Sequence, residues 1–159
     1  MNAWQRFWRW IRPARDEEMD LVNGLILSVS GGLNAEYNVT DHGGWRDPDE
    51  VWDNRLARGA TCRHAATVLM YSMIRNFVAG EIEYVEGEHT RVPQGTSYHA
   101  WIEWQHAGST WICDAFQWTR AWKRGSYTRG EYVSILHLTP DQVRDRIRAE
   151  DMAAGRRGQ

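Results

Sequence analysis

The hydrophobic pattern changes period once, near Gly80, and that change limits the architectures open to the chain. Before it, apolar residues recur every three or four positions, as on one face of a helix. Met19, Val22, Ile26 and Val29 form one such face; Cys62, Ala66, Leu69, Met73 and Phe77 form another. After it, apolar and polar residues alternate, as in half-buried strands. The alternating runs begin at Ile82 and Tyr84 and continue over Tyr98 to Gln105 and Thr110 to Phe116. His106-Ala107-Gly108-Ser109 joins the last two, a connection suited to a hairpin. Helices first and antiparallel strands after, without βαβ alternation, predict an α+β domain.

Punctuation supports this division. Gly31-Gly32 is a stop signal for the first helix. Residues 38–48 read as a loop, because Gly, Asp and Pro interrupt them. Asp47-Pro48-Asp49-Glu50 supplies an N-cap, a first-turn proline and two early acids, and predicts a short helix through Leu56. The strongest helix signal covers residues 62–78. Thr139-Pro140-Asp141-Gln142 is a capping box, and Val143 and Ile147 mark a C-terminal helix before a frayed tail.

Composition removes several classes. At 159 residues the chain fits one domain, and a net charge of −2 provides no global field for nucleic acid. Its 2 cysteines, Cys62 and Cys113, make no disulfide framework and no zinc knuckle. No run approaches the roughly 18 apolar residues of a membrane span. At the N-terminus Arg6, Arg9, Arg12 and Arg15 accompany Trp4, Phe7, Trp8 and Ile11 at helical spacing. Such a basic amphipathic segment can dock residues 4–12 on a membrane surface or a protein partner, or pack on the domain. Arginines break the stretch before a secretory signal could form, so a cytoplasmic location is expected.

Three residues could carry chemistry. Cys62 stands where a helix begins, and backbone N–H groups with the helix dipole favour a thiolate there. The same N–H groups can hold an oxyanion. Acyl transfer also needs a base that later protonates the leaving group. His99 opens the 98–105 strand, and Asp114 lies on its hairpin partner. If the hairpin pairs about residues 106–109, positions whose numbers sum to about 215 face each other, and His99 and Asp114 become diagonal neighbours. Asp114 could then orient the imidazole.

These residues resemble a known family. Cys62 opening a helix, then Tyr98-His99-Ala100-Trp101-Ile102-Glu103, then Trp111-Ile112-Cys113-Asp114, is similar to the transglutaminase-like superfamily of papain-type thiol enzymes, in a small microbial or phage-type form. Tyr37, the Trp45 loop and Asp47-Pro48-Asp49-Glu50 add to the likeness, which spans about residues 20–118. The chain departs from the family pattern at Ala60, where glycine is usual; here the glycine is Gly59. The resemblance implies a papain-like core with the nucleophile at a helix start packed on an antiparallel sheet. It implies Cys62 as nucleophile, His99 as base and acid, and Asp114 as orienter. By the same likeness a tryptophan upstream of the cysteine, Trp45 in preference to Trp52, is a candidate second oxyanion donor. Domains would run 1–18 for the basic segment, 19–138 for the catalytic core and 139–159 for the helix and tail.

Strand alternation puts Trp101 and Glu103 on the face of His99, in the same cleft. Cys113 points away from Asp114, into the core. His64 lies two residues after Cys62, on another helix face, and is a poor base. His42, His89, His106 and His137 are scattered, and neither metal nor cofactor is expected. The expected function is thiol-dependent hydrolysis of amide bonds in a peptide or protein substrate. The alternatives are protein-glutamine acyl transfer, by crosslinking or deamidation, and a non-catalytic binding module on the same fold. Papain-like cell-wall endopeptidases share the Cys-then-His order, but the Trp-x-x-Asp strand favours the transglutaminase-like branch.

Overall fold

The computed structural model describes residues 16–33, 44–54, 60–91, 94–126 and 130–155. The basic N-terminal segment, Tyr37, Leu56, Gly59 and the final residues lie outside this set. Three helices come first: α1 (Glu17–Gly32), α2 (Pro48–Asp53) and α3 (Cys62–Arg75). The strands β1 (Ile82–Arg91), β2 (Gly95–His106), β3 (Ser109–Cys113), β4 (Trp122–Lys123) and β5 (Gly130–Leu138) follow, then α4 (Pro140–Ala153). The sheet order is β4-β3-β2-β1-β5, with every neighbouring pair antiparallel.

Local chemistry explains the helix starts. The Asp16 side chain accepts from the Met19 N–H, and the Asp47 side chain accepts from Asp49 and Glu50. Thr139 and Gln142 form the capping box expected before Pro140. Each such cap contributes about 1 kcal/mol. Val22, Ile26 and Val29 of α1 and Leu69, Met70 and Met73 of α3 are buried against Tyr84, Ile102 and Trp104 of the sheet. Val143 and Ile147 of α4 join this large core. Val85, Trp101, Ile112 and Tyr132 form a separate small core.

The hairpin register is the expected one: Ile102 faces Cys113 and Trp104 faces Trp111. Its turn is Ala107-Gly108, both at positive φ, the geometry that matches strand twist.

Three boundaries differ from the sequence reading. The helix read through Leu56 ends at Asp53, capped by Asn54. The helix read as 62–78 ends at Arg75, and Phe77, assigned to its buried face, has φ 56 and is 91% exposed. There the Val78 N–H reaches the Met73 carbonyl and the Phe77 N–H reaches Ile74, a Schellman ending that needs a left-handed residue. Val78 takes the buried place instead. The strand read through Phe116 ends at Cys113, because the Asp114 side chain draws the Phe116 and Gln117 N–H groups into a turn.

Candidate active site

Cys62 is the first residue of α3 and is half-buried. Thr61 caps the helix by accepting from the His64 N–H, and His64 Nδ1 accepts from the Thr61 N–H. The N–H groups of Cys62 and Arg63 belong to the first turn, which has no helical carbonyl to bond. They stand beside the sulfur with the positive end of the dipole. His64 thus serves the helix cap, with Nε2 3.3 Å from the Gly44 carbonyl oxygen. The sequence reading of His64 as a poor base agrees with this placement.

His99 lies on β2, opposite Gly87 of β1, and is almost fully buried. A side chain at Gly87 would strike the Val133 carbonyl and lie 2.9 Å from the Trp101 ring, so glycine permits the close approach of β5. His99 Nε2 donates to Asp114 Oδ2 at 2.7 Å. Cys62 lies close enough to this imidazole to act on its pKa. Burial alone would lower the His99 pKa. The Asp114 charge and hydrogen bond, with the Cys62 contact, outweigh burial and raise it to about 10.

Asp114 is as buried as any core residue, yet every oxygen has partners. Oδ2 accepts from His99 and from the Tyr132 hydroxyl at 2.8 Å; Oδ1 accepts from the Phe116 and Gln117 N–H groups. Trp118 Nε1 donates in turn to the Tyr132 oxygen at 2.8 Å. Four donors make an ionised carboxylate tolerable in this interior. His99 and Asp114 are thus a hydrogen-bonded pair, with Cys62 near the imidazole.

The other sequence candidates are placed differently. Trp101 and Glu103 share the His99 face, as alternation requires, but are 0% and 3% exposed and line no open cleft. Trp101 belongs to the small core and donates from Nε1 to Glu103 Oε1, which also accepts from Arg124 and Ser134. Packing against β5 and the segment after β4 closes that part of the face. Trp45 is nearly buried, with its ring 5.1 Å from Tyr84 and beneath the guanidinium groups of Arg63 and Arg146. Trp52 lies against Gly32 of α1. Cys113 is fully buried and free, and burial pushes its thiol pKa up.

His89 is the main departure. Read as scattered, it stands with its ring 5.4 Å from that of His99 and stacked on Tyr132 at 4.1 Å. Burial and the charge of His99 push its pKa down to about 4, so it stays neutral. His89, His99 and Asp114 hold potential metal-ligand atoms within 4.8 Å of one another. A cation there would compete with the proton that joins His99 to Asp114. Tyr132, Glu86, Arg63 and Tyr98 were also missed, since most of their partners lie on other elements.

The fold is similar to that of LapG. The calcium-bound LapG of Legionella pneumophila aligns with a TM-score of 0.51 and 11% identity, over 86% of this chain and 82% of that one. No family model and no curated protein matches the sequence. At this identity the likeness to LapG concerns architecture. The α+β class is shown: helices on an antiparallel sheet, with Cys62 at a helix start. Among the described residues, no helix is long and apolar enough to cross a membrane.

Proposed function

We propose that the protein is a thiol-dependent hydrolase of amide bonds in peptides or proteins, of the transglutaminase-like kind. The observation that carries this reading is a buried imidazole bonded to a fully satisfied carboxylate, with a helix-start cysteine close enough to act on the imidazole's pKa. The fold shared with LapG is compatible with it.

In this reading Cys62 forms a thiolate paired with the His99 imidazolium. The sulfur attacks the carbonyl carbon, and the oxyanion is held by first-turn N–H groups of α3. Trp45 remains the second donor proposed from the sequence. As the C–N bond breaks, His99 gives its proton to the departing amine and a thioester remains. Water then attacks the thioester while His99 takes its proton. The acid is released, and sulfur and imidazole return to their starting state. Asp114 orients the ring and offsets its charge throughout.

The test is iodoacetamide labelling of Cys62 against pH, read by peptide mass spectrometry with a free cysteine peptide as reference, since Cys113 is buried. Fast labelling well below the ordinary thiol pKa of about 8.5, lost in His99→Ala, is the expected result. Labelling of Cys62 that is no faster than a simple thiol and indifferent to His99 would sink the catalytic reading. With turnover established, release of the amine without uptake of a fluorescent primary amine separates hydrolysis from acyl transfer.

A further inference from the structure

Glu86 sits mid-strand on β1, opposite Ala100 of β2, and is 5% exposed. Its Oε1 accepts from the Tyr84 hydroxyl at 2.6 Å and from Arg63 Nε at 3.0 Å. Its Oε2 accepts from the Tyr98 hydroxyl at 2.7 Å. Arg63 is the residue after Cys62, and Tyr98 is the residue before His99. One carboxylate therefore joins the immediate neighbours of both members of the thiol–imidazole pair.

We propose that Glu86 is a positioning residue, whose carboxylate ties the start of α3 to β2 and so sets the approach of Cys62 to His99. The proposal rests on the catalytic reading above.

Several observations support it. The strand pairing of β1 with β5 slips between Glu86 and Gly87, and such bulges re-aim a side chain within a sheet. Burial alone would raise the Glu86 pKa, but the bonds from Tyr84 and Tyr98 and the charge of Arg63 lower it, so the carboxylate stays charged. Tyr98 is 59% exposed, so its bond to Glu86 contributes little to closing the core. What that bond does hold is the β2 backbone beside His99. Arg63, partly exposed, also lies over the Trp45 ring, which fixes it from the other side.

A charge effect and a positioning effect have opposite signs. Removing the Glu86 charge would take one anion away from the Arg63 cation beside Cys62, which by itself favours the thiolate. Loosening the tie between α3 and β2 would separate thiol from imidazole and disfavour it.

The experiment measures the ratio of Cys62 alkylation by iodoacetamide near pH 6 to that near pH 10 in the wild type, Glu86→Gln and Tyr98→Phe. Positioning predicts that Glu86→Gln lowers the ratio about tenfold and Tyr98→Phe about threefold, with the high-pH rate within about twofold of wild type. An unchanged or increased ratio in Glu86→Gln overturns the proposal. If Glu86→Gln does not fold cooperatively, Tyr98→Phe decides alone, and a wild-type ratio in that variant overturns it. A wild type that lacks His99-dependent labelling overturns the catalytic reading itself. His99-dependent labelling with normal Glu86→Gln and Tyr98→Phe variants overturns only the tie.

Discussion

Alternate residues of β2 enter two different kinds of interior. Ala100, Ile102 and Trp104 face the helices and join the large apolar core, where only the Trp104 indole needs a partner and finds the Ala79 carbonyl at 2.7 Å. His99, Trp101 and Glu103 face the other way, and each meets specific polar groups there: Asp114, Glu103, and Arg124 with Ser134. The first face is held by area removed from water, the second by pairing. Because strand side chains alternate with period two, one strand can serve both without conflict. The lesson is that damage on the first face should reach stability, and damage on the second should reach the chemistry of Cys62.

The sharpest way to break this contrast is Trp104→Ala. It should cost about 3–5 kcal/mol in denaturant unfolding, through lost burial and a residual cavity. The low-to-high pH labelling ratio of Cys62 in the folded protein should stay near that of the wild type. A collapse of that ratio would show that the two faces are not separable.

On the other face, His99→Ala should lower Cys62 labelling near pH 6 by about two orders of magnitude, the lower end of what a lost acid–base partner costs. Its effect on stability should depend on pH. The folded His99 pKa of about 10 lies above the ordinary imidazole value near 6.5, so its stabilisation is fully present below that value. It is lost as pH rises towards 10, so the gap in denaturation midpoint between wild type and His99→Ala should shrink over that interval. A gap that is constant or grows with pH would contradict the ion-paired imidazole.

Tyr132→Phe is smaller. It removes one donor from Asp114 and one acceptor from the Trp118 indole, at a cost of about 1–2 kcal/mol. Labelling near pH 6 should fall severalfold, because Asp114 loses one of the four donors that hold it towards His99. The smallest effect belongs to a site on neither face. Phe77→Gly should stabilise the protein by about 0.5–1 kcal/mol, since the ring is exposed and the left-handed backbone there favours glycine. Thermal unfolding checks the sign.

Much of the frame was legible in the sequence because it rests on local rules. The α1 face of Val22, Ile26 and Val29, the caps at Asp47 and Thr139, and the residue sum of the hairpin follow from neighbours within a few positions. The errors also have local causes. Phe77 matched the helical period, but the Schellman ending stopped the helix before it. Phe116 matched the strand period, but the Asp114 carboxylate captured its N–H. The strand β5 was not read at all, although Tyr132, Ser134 and Leu138 lie on it; its pairing with β1 spans most of the sheet segment of the chain.

What the sequence by itself determined is the succession of helices and then strands, the helix start at Cys62 and the register that sets His99 beside Asp114. Period, capping and a short turn specify these without reference to the rest of the molecule. The tertiary structure alone decided that Trp101 and Glu103 are enclosed, that Tyr132 supports Asp114, that His89 stands beside His99 and that Glu86 joins Arg63 to Tyr98. Each of those contacts joins residues on different elements. Buried polar groups must find partners wherever packing brings donors within reach, and no periodic pattern in the chain records that choice.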